Sequence, residues 1–232
     1  MKAIVGGTSL LDSSLFGEWD ERNIQTPHGE VQVRQAGGFA FLQRHGRKKV
    51  PPHVINHHAN IWALKTIGAT AVMAINSVGS MKIALKPGSF VIPNDFMAPW
   101  VIPTFFNSQM RFTIPSLDPA LSGTLRNLCE QLGLHVTWGG VYAQTLGPRF
   151  ETKAEINFLR KYADIVGMTM ASEATLSAEC GIPYASLCSV DNYANGIARK
   201  PLTMQEVEDN VRSNRDTIEL LIGTLLGADI PS

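Results

Sequence analysis

Short apolar runs alternate along the chain with segments in which apolar residues recur every three to four positions. The first kind predicts strands, and the continuous apolar run Thr70–Ile75 is typical of a strand buried on both faces. The second kind predicts helices, as in the leucines between positions 121 and 132, which share one helix face before Gly133 ends the helix. A last helix is predicted from Thr203, whose hydroxyl forms a capping-box pattern with Glu206.

Strands and helices are predicted to alternate along the whole chain. The predicted strands are Lys2–Val5, Glu30–Arg34, Gly38–Gln43, Thr70–Ile75, Ser89–Ile92, His135–Tyr142, Asp164–Met168 and Tyr184–Val190. The other predicted helices are Val54–Ile67, Thr152–Arg160 and Ser172–Cys180. This order predicts a single α/β domain over residues 1–232, built around a largely buried sheet. Such sheets bind ligands at the carboxyl ends of their strands, here after Val5, Ile75, Tyr142, Val166 and Val190.

Composition supports one folded domain and narrows the kind of partner. Of the 232 residues, 44% are hydrophobic and 17% are charged, which allows a sizeable core. The 20 basic residues balance 20 acidic ones, so no overall field attracts nucleic acid or a membrane surface. The apolar run Met1–Val5 is too short for a signal peptide or a membrane span. Three cysteines without a CxxC pair predict reduced thiols in a cytoplasmic protein and no metal site.

Polar segments fall at or near the predicted strand ends. They are Gly6–Ser9, Arg44–Gly46, Asn76–Ser80, Gly147–Thr152, Val166–Thr169 and Asp191-Asn192. Glycines let the backbone approach an anion, and Arg44 offers a planar fork of donors that suits phosphate. Phe150 beside Glu151 suits stacking on and hydrogen bonding to a heterocycle. Each segment also has a purely structural interpretation, such as a solvated turn at Arg44 or a first-turn helix acid at Glu151.

Taken together, these segments resemble the trimeric-type purine nucleoside phosphorylases. The chain carries GGTSLL at 6–11, RHGRKKVPPHVINHHAN at 44–60, INSVGS at 75–80, GPRFET at 147–152 and VGMTMASEA at 166–174. The resemblance covers nearly the whole chain in the same motif order, and it is greatest to the branch that includes methylthioadenosine and methylthioinosine phosphorylases. It implies a single α/β domain whose mixed, partly barrel-like central sheet is flanked by helices. It also implies a homotrimer or a dimer of trimers.

The resemblance further implies a role for each candidate residue. Phosphate would be bound by Thr8, Arg44, His45, Ser77 and Thr169. The purine would be bound by Val78, Gly79, Phe150, Glu151, Val166 and Asn192. The sugar would contact Met168, and Phe112 would come from a neighbouring subunit. Arg44, His45, Glu151 and Asn192 would take part in catalysis. A histidine that follows the RHG motif in the methylthioadenosine enzymes is replaced here by Arg47, Lys48 or Lys49, and His53 is expected to take part of its space.

The implied reaction is reversible phosphorolysis, in which inorganic phosphate displaces the purine from a nucleoside without a metal or an organic cofactor. Ionised Glu151 can only accept a hydrogen bond and suits N1–H of a 6-oxopurine, while Asn192 can meet both O6 and N7–H. No histidine follows His135 to meet a 5′-hydroxyl, and Met204 and Val207 suggest an apolar pocket for a 5′-methylthio group. 5′-Methylthioinosine is therefore the leading predicted substrate, followed by inosine and guanosine.

Three alternatives stay open at this stage. Asp191 directly precedes Asn192, so a shift of one residue at the base-reading position would make this a methylthioadenosine phosphorylase. The spacing counted from Met168 favours Asn192. A hydrolytic nucleosidase would have no need of Arg44 and His45. A non-catalytic purine-binding module would keep the purine-binding residues without a complete phosphate site.

Overall fold

The computed structural model of the protein describes residues 1–100 and 103–227. The strands are β1 Lys2–Gly6, β2 Asp20–Thr26, β3 Gly29–Ala36, β4 Phe39–Gln43, β5 Ala71–Ser80, β6 Phe90–Ile92, β7 Asp95–Met97, β8 Val136–Trp138, β9 Val141–Gln144, β10 Ile165–Gly167 and β11 Tyr184–Tyr193. The helices are α1 His57–Thr66, α2 Pro119–Gln131, α3 Lys153–Leu159, α4 Met170–Glu179 and α5 Met204–Leu226. Within the described ranges, no helix is both long enough and apolar enough to cross a bilayer.

Strand β5 is the centre of a mixed sheet because it pairs with three other strands. Along one edge it is parallel to β11 from Val72 to Ser80. On its other edge, the first half is parallel to β1 and the last residues, Gly79 and Ser80, are antiparallel to β10. The sheet therefore divides along this edge, with β4, β3 and β2 beyond β1 and with β9 and β7 beyond β10. This arrangement confirms the predicted fold class.

Successive residues of β1 face two separate apolar layers. Ala3 and Val5 pack in the layer that includes buried residues of α1 and α4. Ile4 packs in the other layer, which includes the leucines of α2 and the apolar face of α5. Helices thus cover both faces of the sheet, as the continuous apolar strands predict.

Two strands are longer than predicted. The expected ends at Ile75 and Val190 are wrong, since β5 continues to Ser80 and β11 to Tyr193. Polar residues continue these buried strands because their side chains find partners. Asn76, for example, accepts a hydrogen bond from Ser186 Oγ at 2.7 Å and donates one to Thr169 Oγ1 at 2.9 Å. The polar segments therefore lie within the strands rather than in turns after them.

Glycine and proline account for two further differences. The predicted strand His135–Tyr142 is interrupted by Gly139 and Gly140, which have φ angles of 90° and 113°, and becomes the two strands β8 and β9. The helix predicted from Val54 begins only at His57, because the chain before it is extended and Asn56 caps it by accepting from Ala59 N at 2.9 Å.

Caps explain how two other helices begin. Thr203 caps α5, accepting a hydrogen bond from Glu206 N at 3.3 Å. The reciprocal capping box is formed at α3, by Thr152 and Glu155. Strands β2 and β7 were not predicted: β2 is mostly polar and exposed, and β7 has only three residues, so neither shows apolar alternation.

Candidate active site

A cavity of about 280 Å³ lies beside the carboxyl-terminal halves of β5 and β11. It brings together most of the residues that the sequence singled out. These are Thr8, Arg44, His45, Ser77, Val78, Gly79, Phe150, Glu151, Val166, Met168, Thr169, Asn192 and Met204. The lining also includes Pro52, Pro148, Gly167, Asp191, Ala194, Val207 and Val211.

Two predicted sugar-binding residues are not in this cavity. His53 is exposed in a short 3-10 turn, and its neighbour Pro52 lines the cavity instead, so the expectation that His53 takes the place of the missing histidine is not supported. Phe112 is 88% exposed and lies outside the cavity of its own chain. Its predicted role concerns a neighbouring subunit. Residues 101 and 102 lie outside the described residues.

Arg44 follows β4 directly, and its side chain is almost fully buried. Its Nε lies 2.6 Å from Oε1 of Glu173 and its Nη2 lies 3.1 Å from Oε2, while Nη1 donates to Ile75 O at 2.7 Å. A guanidinium carries five N–H donors, so two remain for a ligand. Glu173 also accepts a hydrogen bond from Tyr184 Oη at 2.8 Å. Arg44 is therefore held rigidly where it reaches the cavity.

Sequence reasoning quoted the motif that contains Glu173 but gave this residue no role. The only signal was a carboxylate among small and apolar residues in the first turn of α4, with Ser172 and Ala174 on either side. Such an acid is buried only when it is paired. Its partner lies 129 positions away, which no local pattern reveals.

His45 is oriented by the backbone of the turn that follows it. Its Nδ1 lies 2.7 Å from Val50 O, and because a carbonyl oxygen only accepts, Nδ1 carries a proton. Burial lowers the pKa of His45. The hydrogen bond to Val50 opposes this effect, and the charge of Arg44 lowers the pKa further. The neutral ring therefore has Nε2 as a hydrogen-bond acceptor.

Thr169 lies at the amino end of α4, where the helix dipole is positive. Its backbone N–H and that of Met170 lie 3.2 Å and 3.4 Å from Tyr142 Oη, which accepts from both. Its hydroxyl accepts from Asn76 Nδ2 at 2.9 Å, and its own O–H donor stays free to meet a ligand. The end of α4 is thus fastened to the sheet beside Arg44.

Glu151 and Asn192 present a different kind of chemistry. Glu151 is buried, and its Oε1 accepts from Thr145 Oγ1 at 2.6 Å, which leaves Oε2 for a ligand. Asn192 Nδ2 donates to Tyr193 O at 2.9 Å, so its second N–H and its Oδ1 remain. A carboxylate oxygen beside an amide with one donor and one acceptor matches the edge of a 6-oxopurine.

Gly79 keeps a narrow space open next to Asn192. A Cβ atom at this position would lie 3.1 Å from Asn192 Nδ2 and 3.4 Å from Val166 Cγ1. The first distance is shorter than ordinary van der Waals contact, so a side chain here would push the amide of Asn192 out of place. In the described part of the chain, no group of three or more His, Cys, Asp and Glu side chains is placed to hold a metal ion.

A known protein family matches nearly all of the residues that the structure describes. Residues 2–227 match the family described as phosphorylase superfamily. The chain is 38% identical over 220 residues to a probable 6-oxopurine nucleoside phosphorylase of Archaeoglobus fulgidus, covering 92% of this chain and 90% of the relative. It is 40% identical over 226 residues to a probable S-methyl-5′-thioinosine phosphorylase of Methanocaldococcus jannaschii, covering 94% and 88%. Among solved structures, a methylthioadenosine phosphorylase from Schistosoma mansoni in complex with adenine is similar with a TM-score of 0.84 at 26% identity, covering 98% of this chain and 92% of that one.

Proposed function

Because the chain belongs to the phosphorylase superfamily, we propose that it is a pentosyltransferase that cleaves 6-oxopurine nucleosides by reversible phosphorolysis. The observation that carries this proposal is that one cavity contains both the Glu151–Asn192 pair and the Arg44–His45 pair. The first pair matches a purine and the second an anion. Side chains suited to both substrates of the reaction thus line one space, which supports the proposal.

Two side chains recognise the base: Glu151 accepts a hydrogen bond, and Asn192 both donates and accepts. The free oxygen of Glu151 accepts from N1–H and the free N–H of Asn192 donates to O6. The Oδ1 of Asn192 accepts from the N7–H that forms as the base departs. Adenine offers an acceptor at N1, which would face the carboxylate unpaired. Leaving buried polar groups unpaired gives discrimination of about 10⁴-fold or more in sites of this kind.

Phosphate is the nucleophile and the only co-substrate. The C1′–N9 bond breaks with its electron pair passing to the purine, and a phosphate oxygen forms the new bond to C1′. Arg44 and Thr169 donate to the phosphate, while neutral His45 accepts the proton of monohydrogen phosphate at Nε2. The departing purine takes a proton from water at N7 and leaves as the neutral base, while the proton that His45 receives is returned to water. Asn192 Oδ1 accepts from the new N7–H, and this contact strengthens as the bond breaks. No metal or organic cofactor takes part in these steps.

The sugar 5′ position faces an apolar wall formed by α5. Met204, Val207 and Val211 line the cavity there, and they favour a 5′-methylthio group over a hydroxyl. We therefore rank 5′-methylthioinosine first, with inosine and guanosine next. The relative from Methanocaldococcus jannaschii carries the corresponding name.

The proposed active species is a homotrimer, or a dimer of trimers, acting in purine salvage in the cytoplasm. Met110, Phe112 and Ile114 are each about nine-tenths exposed on one segment, which a neighbouring subunit would cover. In that arrangement Phe112 closes the sugar site of the next chain. Reduced thiols suit the cytoplasm, and Cys129, Cys180 and Cys188 are all unpaired. Sedimentation of a fully active monomer would reject the oligomer.

A substrate panel tests the proposed function. Release of free base is measured with phosphate for inosine, guanosine, adenosine and the 5′-methylthio analogues of inosine and adenosine. We expect the 6-oxopurine substrates to be cleaved, with the methylthio analogue fastest. The specific alternative is adenine, because several similar solved structures are methylthioadenosine phosphorylases. Faster cleavage of methylthioadenosine than of methylthioinosine would favour it.

A further inference from the structure

Helix α5 is fastened to the sheet at one residue of β11. Asn210 Nδ2 donates to the backbone oxygen of Asp191 at 2.7 Å, and Asn214 Nδ2 donates to its Oδ1 at 3.0 Å. Asn214 also lies 2.8 Å from Ser189 Oγ, which itself donates to Asp191 Oδ1 at 2.6 Å. Asp191 is 1% exposed, so these bonds are shielded from water. Together they form a polar clamp, Asp191–Asn210–Asn214, between β11 and α5.

An irregularity in β11 makes this clamp possible. The register against β5 shifts between Val190 and Asn192, so Asp191 is the extra residue of a β-bulge. A bulge residue is released from the regular ladder of hydrogen bonds, and its carbonyl oxygen is free to accept from Asn210. The side chain of Asp191 lies on the face of Ser189, while Asn192, the next residue, lies against Gly79. The two neighbours therefore serve different parts of the cavity.

The clamp determines where the apolar wall of the cavity lies. Asn210 and Asn214 are four residues apart on α5, as are Val207 and Val211, so the two pairs occupy adjacent rows of one helix surface. Both valines line the cavity. Fixing the two asparagines to Asp191 therefore fixes the depth of the valines, because the helix moves as a rigid element.

We propose that Asp191 is a positioning residue that sets the preference for the substituent at the sugar 5′ position, by clamping α5 so that Val207 and Val211 close on a 5′-methylthio group. This inference rests on the proposed function, since the substituent belongs to a nucleoside bound in the cavity. It assigns no contact between Asp191 and the substrate. The clamp acts on apolar fit, which is sensitive to small displacements.

Variants of the asparagines test the clamp. Asn210→Ala removes the bond to Asp191 O, and Asn214→Ala removes the bonds to Asp191 Oδ1 and Ser189 Oγ. Glu208→Ala changes an exposed residue of the same helix as a control. The ratio of kcat/KM for 5′-methylthioinosine over inosine is measured for each, together with the KM for phosphate. Imperfect packing of one apolar group is worth about ten-fold in such a ratio. We expect the ratio to fall by this amount in the two asparagine variants. Their KM for phosphate, and the ratio in Glu208→Ala, should stay unchanged.

Asp191 variants separate the clamp from a general loss of folding. Asp191→Asn keeps an oxygen that accepts from Asn214, and its new N–H group can donate to Ser77 Oγ, which lies beside the Asp191 carboxylate. Asp191→Asn should keep the ratio of kcat/KM for 5′-methylthioinosine over inosine, whereas Asp191→Ala should lower it. Equal losses for both nucleosides in folded Asn210→Ala and Asn214→Ala proteins would overturn the clamp. If Asn214→Ala does not fold, Asn210→Ala still provides this test, because Asn210 is only half-buried. Absence of phosphate-dependent cleavage by the unaltered protein would instead overturn the proposed function.

Discussion

Arg44 and Glu173 form a buried ion pair through two hydrogen bonds, with Nε 2.6 Å from Oε1 and Nη2 3.1 Å from Oε2. The pair joins the end of β4 to the first turn of α4. It neutralises a cation that would otherwise be costly to bury, and it keeps the guanidinium in one orientation. Stability, and the phosphate binding proposed for Arg44, should therefore both depend on this contact.

Glu173→Ala should be strongly destabilising. It leaves the Arg44 charge buried and unpaired, which costs about 3–5 kcal/mol. For a chain of this size, each kcal/mol lowers the melting temperature by about 2–4 °C. Calorimetry should therefore show a fall of roughly 6–20 °C. Glu130→Ala, which breaks the exposed pair with Arg126, is the control and should cost less than about 1 kcal/mol. Equal effects of the two changes would contradict the role of the buried pair.

Arg44→Ala should lose most of the activity. Phosphate loses a donor that it meets both when bound and as the charge develops at C1′, so the KM for phosphate should rise and kcat should fall together. Steady-state kinetics at varied phosphate concentration measure both constants. Arg126→Ala, on the exposed face of α2, is the matched control. An unchanged phosphate KM in Arg44→Ala would remove this residue from the phosphate site.

Because the ring of His57 is buried, the protein should lose stability in acid. Burial lowers the pKa of His57 to about 4, with Arg44 contributing, against an opposing effect of Glu173. The unfolded chain has the ordinary value of 6.5. Between these values the unfolded chain binds more protons than the folded protein, so the free energy of unfolding falls as the pH falls. The loss reaches about 3 kcal/mol near pH 4.

Urea unfolding of His57→Gln at neutral and acid pH checks this effect. The variant carries no titrating ring, so its loss of stability between pH 6.5 and about 4 should be smaller by about 3 kcal/mol. His135→Gln, at an exposed position, should follow the unaltered protein. If His57→Gln and His135→Gln show the same acid sensitivity, then the burial of His57 does not govern it.

Asn192→Asp should shift the preference for the base. A carboxylate at this position repels O6 and accepts from a 6-amino group, so kcat/KM should fall for inosine-type substrates and rise, relatively, for adenosine-type ones. Loss of such a hydrogen bond costs about 1.5–3 kcal/mol, which gives a swing of roughly ten- to hundred-fold. Asp191→Asn should leave the base preference unchanged, because Asp191 faces α5. The opposite pattern would place the base-reading position at Asp191 and make adenine the base.

The sequence predicts the cavity well because its residues lie in short polar segments next to apolar strands. Thr8, Arg44, Thr169 and Asn192 could be placed at one edge of the sheet from the order of strands alone. Glu173 could not, because its role depends on a partner far away in the chain.

Asp191 shows a second limit of sequence reasoning. Its side chain faces α5 because a bulge changes the register of β11, and a bulge leaves no mark on the pattern of apolar positions. His53 shows the same limit within a turn, where Pro52 lines the cavity and His53 does not. The sequence thus leaves undetermined the orientation of side chains that depends on tertiary contacts.

Cleavage of 5′-methylthioinosine with and without phosphate tests the central claim most directly. Free hypoxanthine is followed optically and the sugar product by phosphorus NMR. We predict that hypoxanthine appears only with phosphate and in equal amount to a sugar 1-phosphate. Equal turnover in phosphate-free buffer, with free methylthioribose as the product, would show a hydrolase and contradict the account.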